Sequence, residues 1–190
     1  LLIELKKEYK TSLIIVSHNL KLISNVSNDV VVMNKGEIVE KGSTLDVFKN
    51  PKKNYTRNLL LENKKLSKIF NGNNKKKELI LDVKKLKLSL SDKLILNDID
   101  FKIFKGQTLG LIGQSGSGKT SISRCITGFY KKYLGEINYK GINIKKIKRI
   151  DYSREVQLIF QDPYSALNPN IKIINQLTEP IGIHFKLSKD

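Results

Sequence analysis

Eight consecutive residues, Gly113-Gln114-Ser115-Gly116-Ser117-Gly118-Lys119-Thr120, combine glycines, hydroxyls and one lysine in a pattern able to hold phosphate. Glycine permits backbone conformations and close approaches that a side chain would obstruct. The amides around Ser117 to Ser121 can then point at phosphate oxygens from the start of a helix, where unpaired N–H groups and the dipole favour anions. Lys119 supplies a mobile positive charge for β- and γ-phosphates, and Thr120 a hydroxyl for Mg²⁺. A plain flexible turn is the competing reading. It lacks the context, because a buried apolar run at 108–112 precedes the loop and a helix-forming segment at 120–127 follows it.

Two more residues carry candidate chemistry. His18 closes the apolar run Leu13-Ile14-Ile15-Val16-Ser17, which reads as a strand. Taken alone, it is better read as a capping or packed histidine beside a strand end. Gln161 follows the apolar run at 156–160 and opens Gln161-Asp162-Pro163-Tyr164-Ser165-Ala166-Leu167-Asn168-Pro169. Just past a strand of a parallel sheet is where ligands bind, and an amide carbonyl there can coordinate a cation. An ordinary polar turn held by two prolines fits the same residues.

The elements that must position these groups follow from pattern. Short apolar runs predict buried strands at 13–16, 108–112, 135–139 and 156–160, with further strands at 79–83, 86–90 and 99–103. Asn34-Lys35-Gly36 between 30–33 and 37–40 predicts a hairpin. Helices are predicted at the start of the chain, at 20–26, and at 43–49 with Ser43 or Thr44 as cap and Pro51 beyond the end. Residues 62–77, with Asn71-Gly72-Asn73-Asn74 and Lys75-Lys76-Lys77, have little apolar surface to bury and read as a solvated linker. The fold class is α/β.

Composition limits the alternatives. The hydrophobic fraction of 39% fits a globular chain, and no apolar run approaches the ~20 residues that span a bilayer. The net charge of +17 comes from lysine spread along the chain, without the arginine clusters and interleaved aromatics of base readout, so no specific nucleic-acid partner is expected. The single cysteine, Cys125, excludes an internal disulfide and is expected to be a packed thiol. His18 and His184 lie too far apart in sequence to make a metal-ligand pattern.

At Gly113–Thr120 and 161–169 the chain resembles the ATP-binding subunits of ABC transporters, the oligopeptide and dipeptide importer branch in particular. The resemblance covers nearly the whole chain apart from the linker. It implies ABC-type nucleotide-binding domains of the P-loop NTPase class, ATP and Mg²⁺ as cofactors, and ATP hydrolysis coupled to peptide uptake. By the same resemblance Gln161 contacts Mg²⁺ and the attacking water, and His18 contacts the γ-phosphate. The cofactor-binding set is Gly113, Gln114, Ser115, Gly116, Ser117, Gly118, Lys119, Thr120 and Ser121, with Thr120 and Gln161 on the metal. Residues 36–42 look like the hairpin that follows the histidine, and 50–60 like the importer branch's C-terminal extension. Departures are Asn19 for a common aspartate, Asn54 for a common histidine, and no adenine-stacking aromatic near Leu90.

In that family the histidine follows the phosphate loop, whereas here it precedes it. The expected organisation is therefore a C-terminal part of one nucleotide-binding domain at 1–61, a linker at 62–77, and an N-terminal part of a second at 78–190. Leu1 is an unusual first residue, so the chain is expected to be a fragment, not itself competent for hydrolysis. His18 and Lys119 are then expected to serve different nucleotide sites, each completed by the other domain. Implied partners are membrane permease subunits and, indirectly, a solute-binding protein, at the cytoplasmic face of the membrane. A soluble tandem ATPase acting on ribosomes is the alternative.

Overall fold

The computed structural model describes residue 4 and residues 8–61, 78–160 and 167–185. They fall into two compact units, Leu1–Ile144 and Lys145–Asp190. The predicted linker at 62–77 and Gln161 lie outside the described residues.

The first unit is organised around β6 (Thr108–Ile112), whose five residues are all buried. A strand that donates and accepts on both edges needs a ladder partner on each. Here β1 (Leu13–Val16) and β2 (Asp29–Asn34) supply them, both parallel to β6, and β3 (Glu37–Ser43) extends the sheet antiparallel to β2. The sheet order is β1-β6-β2-β3. At its amino edge the register is pinned by polar groups. Asn28 N–H donates to Thr108 O and Asn28 Oδ1 accepts from Thr108 N–H, both at 2.8 Å. The Gln107 amide donates to the Asp29 carboxylate, while its Oε1 accepts from Phe104 N–H at 2.8 Å. Burial pushes the Asp29 carboxyl above its usual range, and the Gln107 bond opposes that shift.

Helix α1 (Leu20–Val26) begins at Asn19, whose side chain accepts from Leu22 N–H at 3.0 Å, and buries Leu20 and Ile23 on the sheet. Helix α2 (Thr44–Lys49) starts as predicted at Ser43. The hydroxyl accepts from Asp46 N–H at 3.1 Å and donates to the Asp46 carboxylate at 2.6 Å. Helix α3 (Asn54–Leu61) occupies the predicted extension. Leu20, Ile23, Val30, Val32, Val47, Phe48 and Ile112 form one core cluster, against which Ile15, Tyr55, Leu59 and Leu60 pack.

A second, antiparallel sheet has the order β5-β4-β7-β8. Its members are β4 (Leu79–Leu90), β5 (Lys93–Phe104), β7 (Leu134–Tyr139) and β8 (Ile142–Asn143). The runs expected as separate strands at 79–83 and 86–90 are one strand. Lys84-Lys85 breaks the apolar pattern but not the strand, because it forms a bulge: Lys85 has φ 47° and its N–H donates to Asp100 Oδ1 at 3.1 Å. Ser91 and Asp92, both at positive φ, make the turn into β5, which begins six residues before the expected 99–103. Helix α4 (Lys119–Ile126) follows β6 as predicted and buries Ile122, Cys125 and Ile126.

The second unit contains α5 (Arg149–Glu155) and α6 (Ile173–Phe185). The strand expected at 156–160 is not formed. Val156 ends α5 as its C-cap, and Ile159 and Phe160 are 74% and 52% exposed. An apolar run becomes a strand only when a neighbour takes its ladder bonds, and residues 157–160 have none among the described residues.

The closeness of α1 to β6 gives a direct test of this sheet order. A Cβ at Gly110 would lie 2.5 Å from Ile23 Cγ2 and 2.9 Å from Ser27 Oγ. Gly110→Ala is expected to destabilise by about 1–3 kcal/mol through overpacking, read from denaturant midpoints. Combined with Ile23→Ala, the cost should fall short of the sum by at least about 0.5 kcal/mol. Strict additivity would mean that α1 does not pack on β6.

Candidate functional site: a phosphate loop at the carboxyl edge of the sheet

Residues 113–118 leave β6 at its carboxyl end and turn into α4. Two glycines are required by contact as well as by angle. At Gly113, φ 150°, a Cβ would sit 2.2 Å from Met33 O and 2.8 Å from Ser117 Oγ. At Gly118, φ 96°, it would sit 2.7 Å from Leu96 Cδ2. Gly118 is also the N-cap of α4 and offers no side-chain acceptor, so the first-turn N–H groups remain open to an anion.

The Lys119 ammonium folds back over the loop. Its Nζ donates to Gly113 O at 2.8 Å, Gln114 O at 2.6 Å and Ser117 Oγ at 3.1 Å. These acceptors are neutral, and burial pushes the ammonium below its usual range, with no carboxylate among the described residues to oppose the shift. A cation held only by dipoles at the mouth of an uncapped helix is a site short of negative charge. Phosphate oxygens supply that charge, so the residues present fit a phosphate-bearing ligand. Gln114, Ser115, Gly116 and Thr120 are exposed around the same mouth, and Ser121 is half-buried. The Thr120 hydroxyl is open to a cation brought in with the phosphates.

The hairpin predicted from Asn34-Lys35-Gly36 holds this loop from behind. Gly36 N–H donates to Ser117 O at 3.2 Å and Gly36 O accepts from Asn97 N–H at 2.9 Å, linking the loop to β5. Asn97 Nδ2 also donates to Glu37 Oε1 at 2.8 Å. Sequence reasoning assigned Gly36 to a turn and missed this supporting role, because the contact spans about eighty positions.

His18 is exposed one residue beyond Ser17, whose N–H donates to Leu111 O at 3.2 Å and continues the β1–β6 ladder. The structure thus sets His18 and the phosphate loop at the carboxyl edge of one sheet, on adjacent strands. They were expected to serve different nucleotide sites; the β1–β6 pairing sets the two positions at one sheet edge, the strands that flank β6 coming from the part of the chain preceding the linker. Gln161 lies outside the described residues, and among those described no group of three His, Cys, Asp or Glu side chains could hold a metal ion.

Comparison with known proteins decides the class of this loop. Residues 96–188, which include β6, the loop and α4, match the family model for the ABC transporter. That stretch is similar to the ATPase of this family. The oligopeptide transport ATP-binding protein OppF of Bacillus subtilis is 40% identical over 50% of this chain and 32% of its own length. The glutathione import ATP-binding protein GsiA of Shigella dysenteriae is 28% identical over 95% of this chain and 35% of its own. The peptidoglycan transport ATP-binding protein YejF of Agrobacterium fabrum is 29% identical over 97% and 36%. The chain spans about a third of the length of these relatives.

The departures noted from sequence, at positions before the matched segment, find local explanations. Asn19 caps α1 through its side-chain oxygen, a role aspartate fills equally well. Asn54 opens α3 and its Oδ1 accepts from Arg57 Nη1 at 3.0 Å. Leu90 ends β4 half-buried, with no ring to stack. Asn19→Ala is expected to cost about 1 kcal/mol in a denaturant titration, and Asn19→Asp to cost little.

Beneath the ABC-type loop, Cys125 is fully buried and its thiol is pushed up to about 12 by burial. The thiolate is therefore scarce at pH 8, as expected of a packed cysteine. Ellman's reagent should label the native chain at least about a hundredfold more slowly than the denatured chain. Equal rates would place α4 elsewhere.

Proposed function

We propose that this chain is a nucleotide-binding part of a tandem ABC importer ATPase that binds ATP with Mg²⁺ and energises peptide uptake. The observation that carries the reading is the Lys119 ammonium, held by three neutral acceptors over a glycine loop at an uncapped helix start. In this reading the backbone of Gly113, Gln114, Ser115, Gly116, Ser117, Gly118, Lys119, Thr120 and Ser121 surrounds the phosphates. Lys119 transfers its hydrogen bonds from the loop carbonyls to the β- and γ-phosphates. Bound Mg²⁺ neutralises phosphate charge; the Thr120 hydroxyl and the Gln161 amide are the groups that hold it. His18, two residues past the end of β1, contacts a γ-phosphate, that of a nucleotide site other than the one Lys119 serves.

The importer reading is supported by relatives whose names specify oligopeptide, glutathione and peptidoglycan transport. The tandem reading, with parts at 1–61 and 78–190 joined through 62–77, is supported by the two relatives that align over 95% and 97% of the chain. No helix among the described residues is long and apolar enough to cross a membrane. In this reading uptake depends on permease subunits that span the bilayer, with a solute-binding protein delivering substrate and this protein peripheral at the cytoplasmic face.

Equilibrium binding of a fluorescent ATP analogue with Mg²⁺ tests the core of this reading. Lys119→Ala is expected to weaken binding at least about tenfold, the scale of losing a charge-assisted hydrogen-bond set. Unchanged binding would remove the site. For the whole protein, co-purification with membrane permease subunits is the expected outcome, and its absence would leave ATP binding without the transport role.

A further inference from the structure

One side chain from outside the loop reaches the loop backbone. Tyr55, in the first turn of α3, accepts a hydrogen bond at its hydroxyl from Gln114 N–H at 3.4 Å. The peptide unit that carries this N–H is the one whose carbonyl is Gly113 O. Lys119 Nζ donates to that carbonyl at 2.8 Å. A peptide unit is planar and trans, so its N–H and C=O point in opposite directions and rotate together. Tyr55 and Lys119 therefore grip one peptide plane from its two ends.

The tyrosine is itself held in place. Its ring packs half-buried against the core cluster together with Leu59 and Leu60. The segment leading into α3 is tied to β3, because the Glu40 carboxylate accepts from Lys52 N–H at 2.8 Å and Lys53 N–H at 3.2 Å. Arg57 braces the same turn, donating to Asn54 Oδ1 at 3.0 Å and to Pro51 O at 3.4 Å. A phenol presented by a braced helix onto a loop amide fixes an angle that the glycine before it would otherwise leave free.

We propose that Tyr55 is a positioning residue for the phosphate loop, its hydroxyl setting the Gly113–Gln114 peptide so that Lys119 is aimed at the bound phosphates. This rests on the nucleotide reading of the loop. It also gives the helix at 54–61 a function beyond packing: it stiffens the loop at Gln114, as the β2–β3 hairpin does at Ser117.

The test is Tyr55→Phe in the 190-residue chain, which removes one oxygen and keeps the ring. In the nucleotide-free protein the Gln114 amide resonance is expected to shift in a ¹⁵N-correlated NMR spectrum. The Kd for the fluorescent ATP analogue with Mg²⁺ should rise about three- to tenfold, the scale of one hydrogen bond. Leu59→Ala, which removes packing from the same helix, should lower the melting midpoint more than Tyr55→Phe does and leave the Gln114 resonance in place. If Tyr55→Phe leaves both the resonance and the Kd unchanged while Lys119→Ala abolishes binding, the nucleotide reading stands and the Tyr55 proposal falls alone. If Leu59→Ala reproduces both effects of Tyr55→Phe, the helix acts through packing and the proposal is overturned. If Lys119→Ala binds as tightly as the unaltered chain, the nucleotide reading fails and takes the proposal with it.

Discussion

The two-sided ladder of β6 is the constraint on which the rest of this fold depends. A strand whose five residues are all buried cannot leave its N–H and C=O groups on either edge to water. It must find parallel partners, and the runs at 13–16 and 29–34 are the ones that take those places. Once they do, several consequences follow without further choice. His18 arrives at the same edge as the phosphate loop. The hairpin after β2 comes up behind Ser117, and α3 brings Tyr55 against Gln114. Positions remote in sequence reach one sheet edge because one strand needs two neighbours.

The electrostatics of that site are of the preorganised kind. Lys119 is half-buried among carbonyl and hydroxyl oxygens, and among the described residues no carboxylate neutralises it. A carboxylate partner would stabilise the empty loop, and an incoming phosphate would then have to break an ion pair. Dipolar acceptors hold the ammonium more weakly and release it more readily. The backbone hydrogen bonds of the Gly36 turn and the Tyr55 hydroxyl complete this design, since they fix the loop without adding charge.

Much of this was legible in the sequence where the cause is local. The apolar run before the glycines, the Asn34-Lys35-Gly36 turn and the Ser43 cap each announce their structure through neighbours a few positions away. Cys125 falls on the buried side of α4, as expected of a lone thiol in the helix after the loop. Reading failed where partners decide. Residues 156–160 have the composition of a strand, yet composition cannot supply a ladder neighbour. Lys84-Lys85 looks like a strand end because a bulge with φ 47° is set by Asp100, fifteen residues on. Tyr55 carried no sign of its contact with Gln114 fifty-nine positions away.

The pairing of β1 and β2 with β6 also bears on what a doubled polypeptide must solve. In any longer chain that carries a second set of such strands after the loop, both sets would compete for the same two edges of β6. Ladder hydrogen bonds would not discriminate, because backbone groups are alike in both. Proximity along the chain would discriminate only weakly, since loop-closure entropy grows with the logarithm of loop length and each doubling costs only about 0.6 kcal/mol. The decision would rest on side chains at the strand–helix contact, where Gly110 admits Ile23 and Ser27 at distances that leave no room for a Cβ. Partner choice in such a protein is thus a matter of packing specificity at a few residues, and the glycine in the middle of β6 is where that specificity is concentrated.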